Sequence, residues 1–199
     1  MFMESVSATA QWTALKADVC REYEIFTWGY LIKGLFCNRT LRVVLTMRLC
    51  KIAKSSGGVS LLFYPVLNLF HKFSVQLAGV DFSWITDFGP GLKIVHGWGL
   101  VINPKARIGE NVTLFHGVTI GGRDQLTSNG ELQSVFPTLE NNVWVGPHAL
   151  IIGGVTVGHD SRIAGGAFVT ENIPPYSTVV GNPAVVVKIR IPSSQALAE

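Results

Sequence analysis

The chain has 199 residues, 48% hydrophobic and 15% charged, with a net charge of +3. That balance excludes a disordered chain and fits one domain, with or without an extension. The charge is uneven. Residues 1–80 carry +5 and residues 81–199 carry −2, so the basic excess sits in the N-terminal part. No nucleic-acid partner is expected. Cys20, Cys37 and Cys50 are odd in number and lack metal-ligand spacing. Their apolar helical context suggests buried free thiols in a reducing, cytoplasmic compartment. Met1 to Lys16 lacks a charged start followed by an apolar run, so no secretory signal is read there.

Residues 1–78 read as an α-helical N-terminal region, with helical character from residue 4. Asp18 to Tyr30 is a mixed polar and aromatic segment. Asn38 to Lys54 places Leu41, Leu45, Leu49 and Ile52 on one face. It also carries Arg42, Arg48, Lys51 and Lys54 with no acid between them. Ser55-Ser56-Gly57-Gly58 is a flexible breaker. A further helix follows, with Leu62, Val66, Leu69, Phe73 and Leu77 at helical spacing. Val59 to Val80 contains Pro65, Asn68, His71, Lys72 and Gln76, whereas a span needs roughly 20 apolar residues. The alternatives are a helix on a membrane surface beside the basic helices, or a cap facing the core or another subunit.

From Leu92 to Val187 a six-residue phrase recurs. Its aliphatic beats are Ile102, Ile108, Leu114 and Ile120, then Leu139, Val145, Ile151, Val157, Ile163 and Val169. Such repetition is the signature of a parallel β-helix. Three short strands make one eighteen-residue coil, and each coil buries its aliphatic layer by stacking on its neighbours. The expected fold is therefore mainly β, with a β-helix domain over 79–191. The repeat slips between Ile94 and Ile102 and breaks between Ile120 and Leu139, where 123–137 reads as a protruding loop. Ile173-Pro174-Pro175-Tyr176 turns the chain, and Gly181-Asn182-Pro183-Ala184 begins a last partial coil. Residues 192–199 read as a flexible tail.

The phrase His96-Gly97-Trp98-Gly99-Leu100-Val101-Ile102 is followed by Asn111-Val112-Thr113 and by Gly117-Val118-Thr119-Ile120-Gly121-Gly122. Together they resemble the serine acetyltransferase branch of the left-handed β-helix acyltransferases. The likeness looks closer still to the branch that O-acetylates exopolysaccharides, of the colanic-acid type. Val180-Gly181-Asn182-Pro183-Ala184 fits the whole superfamily. The resemblance implies acetyl-coenzyme A as acyl donor, a homotrimer, and active sites between neighbouring prisms. It pairs His96 with Asp81, which would orient the ring and stabilise the imidazolium. Serine acetyltransferases carry an arginine and a histidine before the proline that closes the long loop, and an acid before the first histidine. Here those positions hold Val135, Phe136 and Val95, which favours a hydroxyl acceptor other than serine.

O-acetylation needs a hydroxyl made nucleophilic beside a thioester, and a neutral imidazole can take its proton. His96 is the first candidate. His116 lies two residues after Leu114, as His96 lies two after Ile94, so the slip puts both in one column. With the loop counted as a thirteen-residue insertion, Pro147 and Gly165 continue that column. His116 is the second candidate base. His148 and His159 read as surface or intersubunit histidines. By resemblance, Gly121 and Gly122 border the thioester and pantetheine. Gly146, Pro147 and Gly165 would extend the groove, and Lys188 and Arg190 would meet the nucleotide phosphates. Trp98 and Trp144 suit core, interface or sugar platform. No His/Cys/Asp/Glu cluster has metal-ligand spacing.

The expectation is an acetyl-coenzyme A dependent O-acetyltransferase acting on a sugar hydroxyl of a glycan or lipid-linked acceptor in polysaccharide assembly. The basic helices would give peripheral membrane contact. The alternatives are a serine O-acetyltransferase with an altered acceptor pocket, and a non-catalytic scaffold.

Overall fold

The computed structural model describes residues 7–127 and 129–190. The expected tail, and the start of the helical region at residues 4–6, lie outside them. Four helices come first: α1 (Ala8–Tyr23), α2 (Trp28–Cys37), α3 (Arg39–Ser56) and α4 (Ser60–Ala78). Ser7, Thr27 and Asn38 cap the first three, each side chain accepting from a backbone N–H three residues on, as short polar caps do. The mixed Asp18–Tyr30 segment is broken at Glu24, whose φ is 69°. Gly79, left-handed at φ 63°, ends α4.

Helix α3 is the centre of this region, packed by α1, α2 and α4. Its expected basic face is corrected here. Arg48 is fully buried, with Nε 2.8 Å from Asp18 Oδ2, and it donates to the carbonyls of Phe88 and Gly89. Lys51 is also buried and donates to the Thr86 carbonyl at 2.7 Å. Burial holds its pKa down at about 8. These two cations tie α3 to the first coil, so neither is free to meet a membrane surface.

The stripe on α4 faces outward. Leu62, Val66, Leu69 and Phe73 are each more than half exposed, while His71, Ser74 and Ala78 pack inward. The core-facing reading of this stripe is thereby excluded within one protomer. Small residues and a polar contact, His71 Nδ1 to Thr46 Oγ1 at 3.0 Å, let α3 and α4 approach instead. No described helix is long and apolar enough to cross a membrane. Of the three free thiols, Cys50 is buried, Cys20 half-buried and Cys37 exposed, which corrects the expectation of three buried ones. Burial pushes the Cys50 thiol up to about 12.

The rest is a prism of three parallel faces with helices before it. Face one stacks β1 (Asp87–Phe88), β4 (Arg107–Ile108), β9 (Thr138–Leu139) and β12 (Thr156–Val157). Face two stacks β2 (Lys93–Val95), β5 (Thr113–Phe115), β10 (Trp144–Val145), β13 (Arg162–Ile163) and β15 (Ser177–Val180). Face three stacks β3 (Val101–Ile102), β6 (Thr119–Gly121), β11 (Leu150–Ile152) and β14 (Phe168–Val169). Every expected beat points inward. Ile94, Leu114, Val145, Ile163 and Val179 form one buried column in direct register. A short strand with one buried aliphatic residue gains little alone, so the layers are stable only as a stack.

The protruding segment is an antiparallel hairpin of β7 (Arg123–Leu126) and β8 (Leu132–Val135). The C-terminal expectation needs correction. Ile173 bridges Val157 and Val179 pairs with Ile163, so coiling continues past Val169. Then β16 (Val185–Ile189) folds back antiparallel on β15 rather than starting another coil.

Candidate active site

His96 stands at the corner between faces two and three. Val95 is in register with Phe115, while the N–H of Gly117 bonds the Trp98 carbonyl. Two extra residues therefore fall in His96–Trp98, which is the slip seen in the sequence. The turn is left-handed at His96, Gly97 and Gly99, with φ between 64° and 70°. A Cβ on Gly97 would meet Thr40 at 3.0 Å, so only glycine lets α3 come this close. Arg39 clamps the turn. Its guanidinium lies 3.8 Å from the Trp98 ring centroid and donates to the carbonyls of Ala78 and His96.

The exposed His96 ring is 5.9 Å, centroid to centroid, from His116, and His116 is 5.1 Å from His148. The expected column of His96, His116, Pro147 and Gly165 follows from the observed register. His148, exposed as expected, sets its ring against His116 from the next position. Gly117 makes room, because a Cβ there would fall 2.2 Å from His148 Nδ1. His116 Nδ1 is buried without a partner. His159 is elsewhere, paired with Asp160 at 2.9 Å.

Asp81 is not joined to His96. It bridges Val101 on face three, and no ion pair among the described residues links it to the imidazole. Its side chain lines a cleft of about 930 Å³ between α4 and face three, together with His71, Thr119 and Gly121. His96 lines a separate pocket of about 300 Å³ with Glu22, Asn38, Arg39, Lys93 and Val95. Glu22 and Arg39, which come from the helices, carry no local sequence signal. Lys93 had one, because it is the outward neighbour of Ile94 on the strand leading to His96.

The other candidates are dispersed. Gly146 and Gly165 are stacked, a Gly146 Cβ falling 2.7 Å from the Gly165 nitrogen. Gly122 lies under Phe136, and Val135 lies over Gly154. Lys188 is exposed on β16. Arg190 lies with Arg21 and Arg162 around a pocket of about 350 Å³ on face two, and so does Trp144. Trp144 packs on Phe115 at 4.8 Å. Within one protomer neither Val135 nor Phe136 lines the pocket at His96, whereas Val95 does.

Residues 136–171 match the bacterial transferase hexapeptide family (six repeats). A serine acetyltransferase of Helicobacter pylori is 35% identical over 122 residues, which are 61% of this chain and 68% of that protein. This chain belongs to the serine acetyltransferase family. It is an acetyl-coenzyme A dependent O-acetyltransferase, with the coenzyme thioester as co-substrate. The Neisseria gonorrhoeae serine acetyltransferase shares the fold, with a TM-score of 0.72 at 22% identity over 96% of this chain and 70% of that one. The Brucella abortus family member, solved in complex with coenzyme A, has a TM-score of 0.69 at 25% identity, over 92% of this chain and 70% of that one. These relatives overturn the expected sugar acceptor. They are serine acetyltransferases, and the likeness to polysaccharide O-acetylating enzymes finds no support among them. The expected glycan partner goes with it.

Proposed function

We propose that this chain transfers the acetyl group of acetyl-coenzyme A to the side-chain hydroxyl of serine. One observation carries the acceptor. In a family whose relatives are serine acetyltransferases, the candidate base opens on a pocket of about 300 Å³, sized for a small acceptor. In this reading the neutral His96 imidazole takes the hydroxyl proton as the serine oxygen attacks the thioester carbonyl. The C–S bond breaks, and the imidazolium returns the proton to the departing thiolate. His116 stands next to the base, and Asp81, which lines the separate cleft on face three, makes no ion pair with His96 among the described residues.

The prism is read as left-handed from the resemblance, and apolar outward side chains on face three support a homotrimer. Val101, Leu150 and Phe168 lie there, whereas faces one and two present Asp87, Arg107, Lys93 and Arg162. Coenzyme A is read along the corner of Gly146, Pro147 and Gly165 beside His96, with Gly121 and Gly122 at the next corner of the prism. Arg190, with Arg21 and Arg162, supplies cations suited to its phosphates, and Lys188 lies on β16 just before Arg190. The free thiols favour a reducing, cytoplasmic site of action. The test is product identification. The purified chain with acetyl-coenzyme A and L-serine should yield O-acetylserine by mass spectrometry, and no such product would refute the reading.

A further inference from the structure

The pocket at His96 holds both signs of charge. Lys93 Nζ lies 3.2 Å from Glu22 Oε2, and the two side chains are 35% and 29% exposed. Glu22 Oε1 accepts from Asn38 Nδ2 at 3.0 Å, which fixes the carboxylate against the cap of α3. The pair ties the last turn of α1 to β2, three residues before His96. Arg39 and Thr40, the first residues of α3, also line the pocket. A helix's first N–H groups lack intrahelical partners and favour an anion.

We propose that Lys93 and Glu22 recognise the acceptor as a zwitterion. Lys93 takes its carboxylate, seconded by the start of α3, and Glu22 takes its ammonium. An ammonium has three donors and a carboxylate about four acceptor sites, so both groups keep capacity beyond their mutual contact. The acceptor hydroxyl then points at the third wall, where His96 stands. This inference rests on the serine reading and adds a specificity to it. Charge recognition is supplied by α1 and β2, in place of the polar groups that Val95, Val135 and Phe136 lack.

The test compares three acceptors on the intact protein at saturating acetyl-coenzyme A: L-serine, ethanolamine (no carboxylate) and 3-hydroxypropanoate (no amine). The wild type should prefer serine over either analogue by at least about tenfold in kcat/KM, the scale of one charge-assisted bond. Lys93→Met should raise the serine KM by about tenfold or more with kcat within about threefold, and abolish the preference over ethanolamine. Lys93→Arg should keep it. Glu22→Gln should abolish the preference over 3-hydroxypropanoate. Serine turnover with no preference over the analogues, or with an unchanged KM in Lys93→Met, overturns this inference and leaves the serine reading intact. The wild-type comparison decides even where a variant folds poorly. A wild type that acetylates no serine overturns both.

Discussion

The ring of His96 stands edge-on to that of His116 at 5.9 Å, one coil apart. In the proposed reading His96 is the base and His116 its packing neighbour. His96→Ala should lower kcat at least about 100-fold, the lower end for losing a general base. His116→Ala should cost about tenfold or less, since an edge-on ring contact is worth about 0.5–1.5 kcal/mol. Thiol release at saturating substrates gives both numbers. The reverse order would make His116 the base.

Arg39 holds the His96 turn by stacking on Trp98 and bonding two carbonyls. A non-glycine residue at φ 64° costs about 1–3 kcal/mol and persists only where its surroundings enforce it. Arg39→Ala should therefore drop kcat about tenfold at saturating serine, by relaxing a turn strained on that scale. Lysine should not rescue it, because it lacks the planar fork. Trp98 fluorescence should change in parallel. Unchanged kcat would show that the clamp does not position the base.

Asp18 and Arg48 form a fully buried ion pair between α1 and α3, and Asp18 also accepts from the Leu92 N–H at 2.9 Å. Asp18→Ala leaves the guanidinium buried and unpaired, so it should cost about 3–5 kcal/mol in urea unfolding at fixed protein concentration. Asp18→Leu with Arg48→Met should recover part of that loss.

Burial lowers the pKa of His71 to about 4, and its side chain lies between α4, α3 and Phe82. The ring is neutral in the native state, while in the unfolded chain it titrates near 6.5. The unfolded chain thus binds more protons between these values, and stability rises with pH there. The contribution is complete above about 6.5 and disappears as pH falls toward 4, a loss of about 3 kcal/mol. Urea midpoints at pH 7 and pH 5 should show this decline, and His71→Phe should flatten it.

The prism was largely legible because a buried aliphatic residue every six positions is a local pattern. The slip before Ile102 and the thirteen-residue insertion place His96, His116, Pro147 and Gly165 in one column, and the strand register agrees. The helices were less legible. Periodicity gave α4 an apolar stripe but not the side it faces, because the inward side is set by His71 meeting Thr46 on another helix. Arg48 and Lys51 read as a basic, membrane-facing surface because their partners, Asp18 and the carbonyls of Thr86, Phe88 and Gly89, are 30 or more residues away. Glu22 was invisible for the same reason. It joins the pocket only through the packing of α1 on the first coil.

The most direct test of the central claim is acetyl-coenzyme A turnover with and without L-serine, for wild type and His96→Ala. Serine-dependent thiol release that falls at least about 100-fold in the variant is the predicted result. Release that ignores serine, or that survives in His96→Ala, would contradict the account.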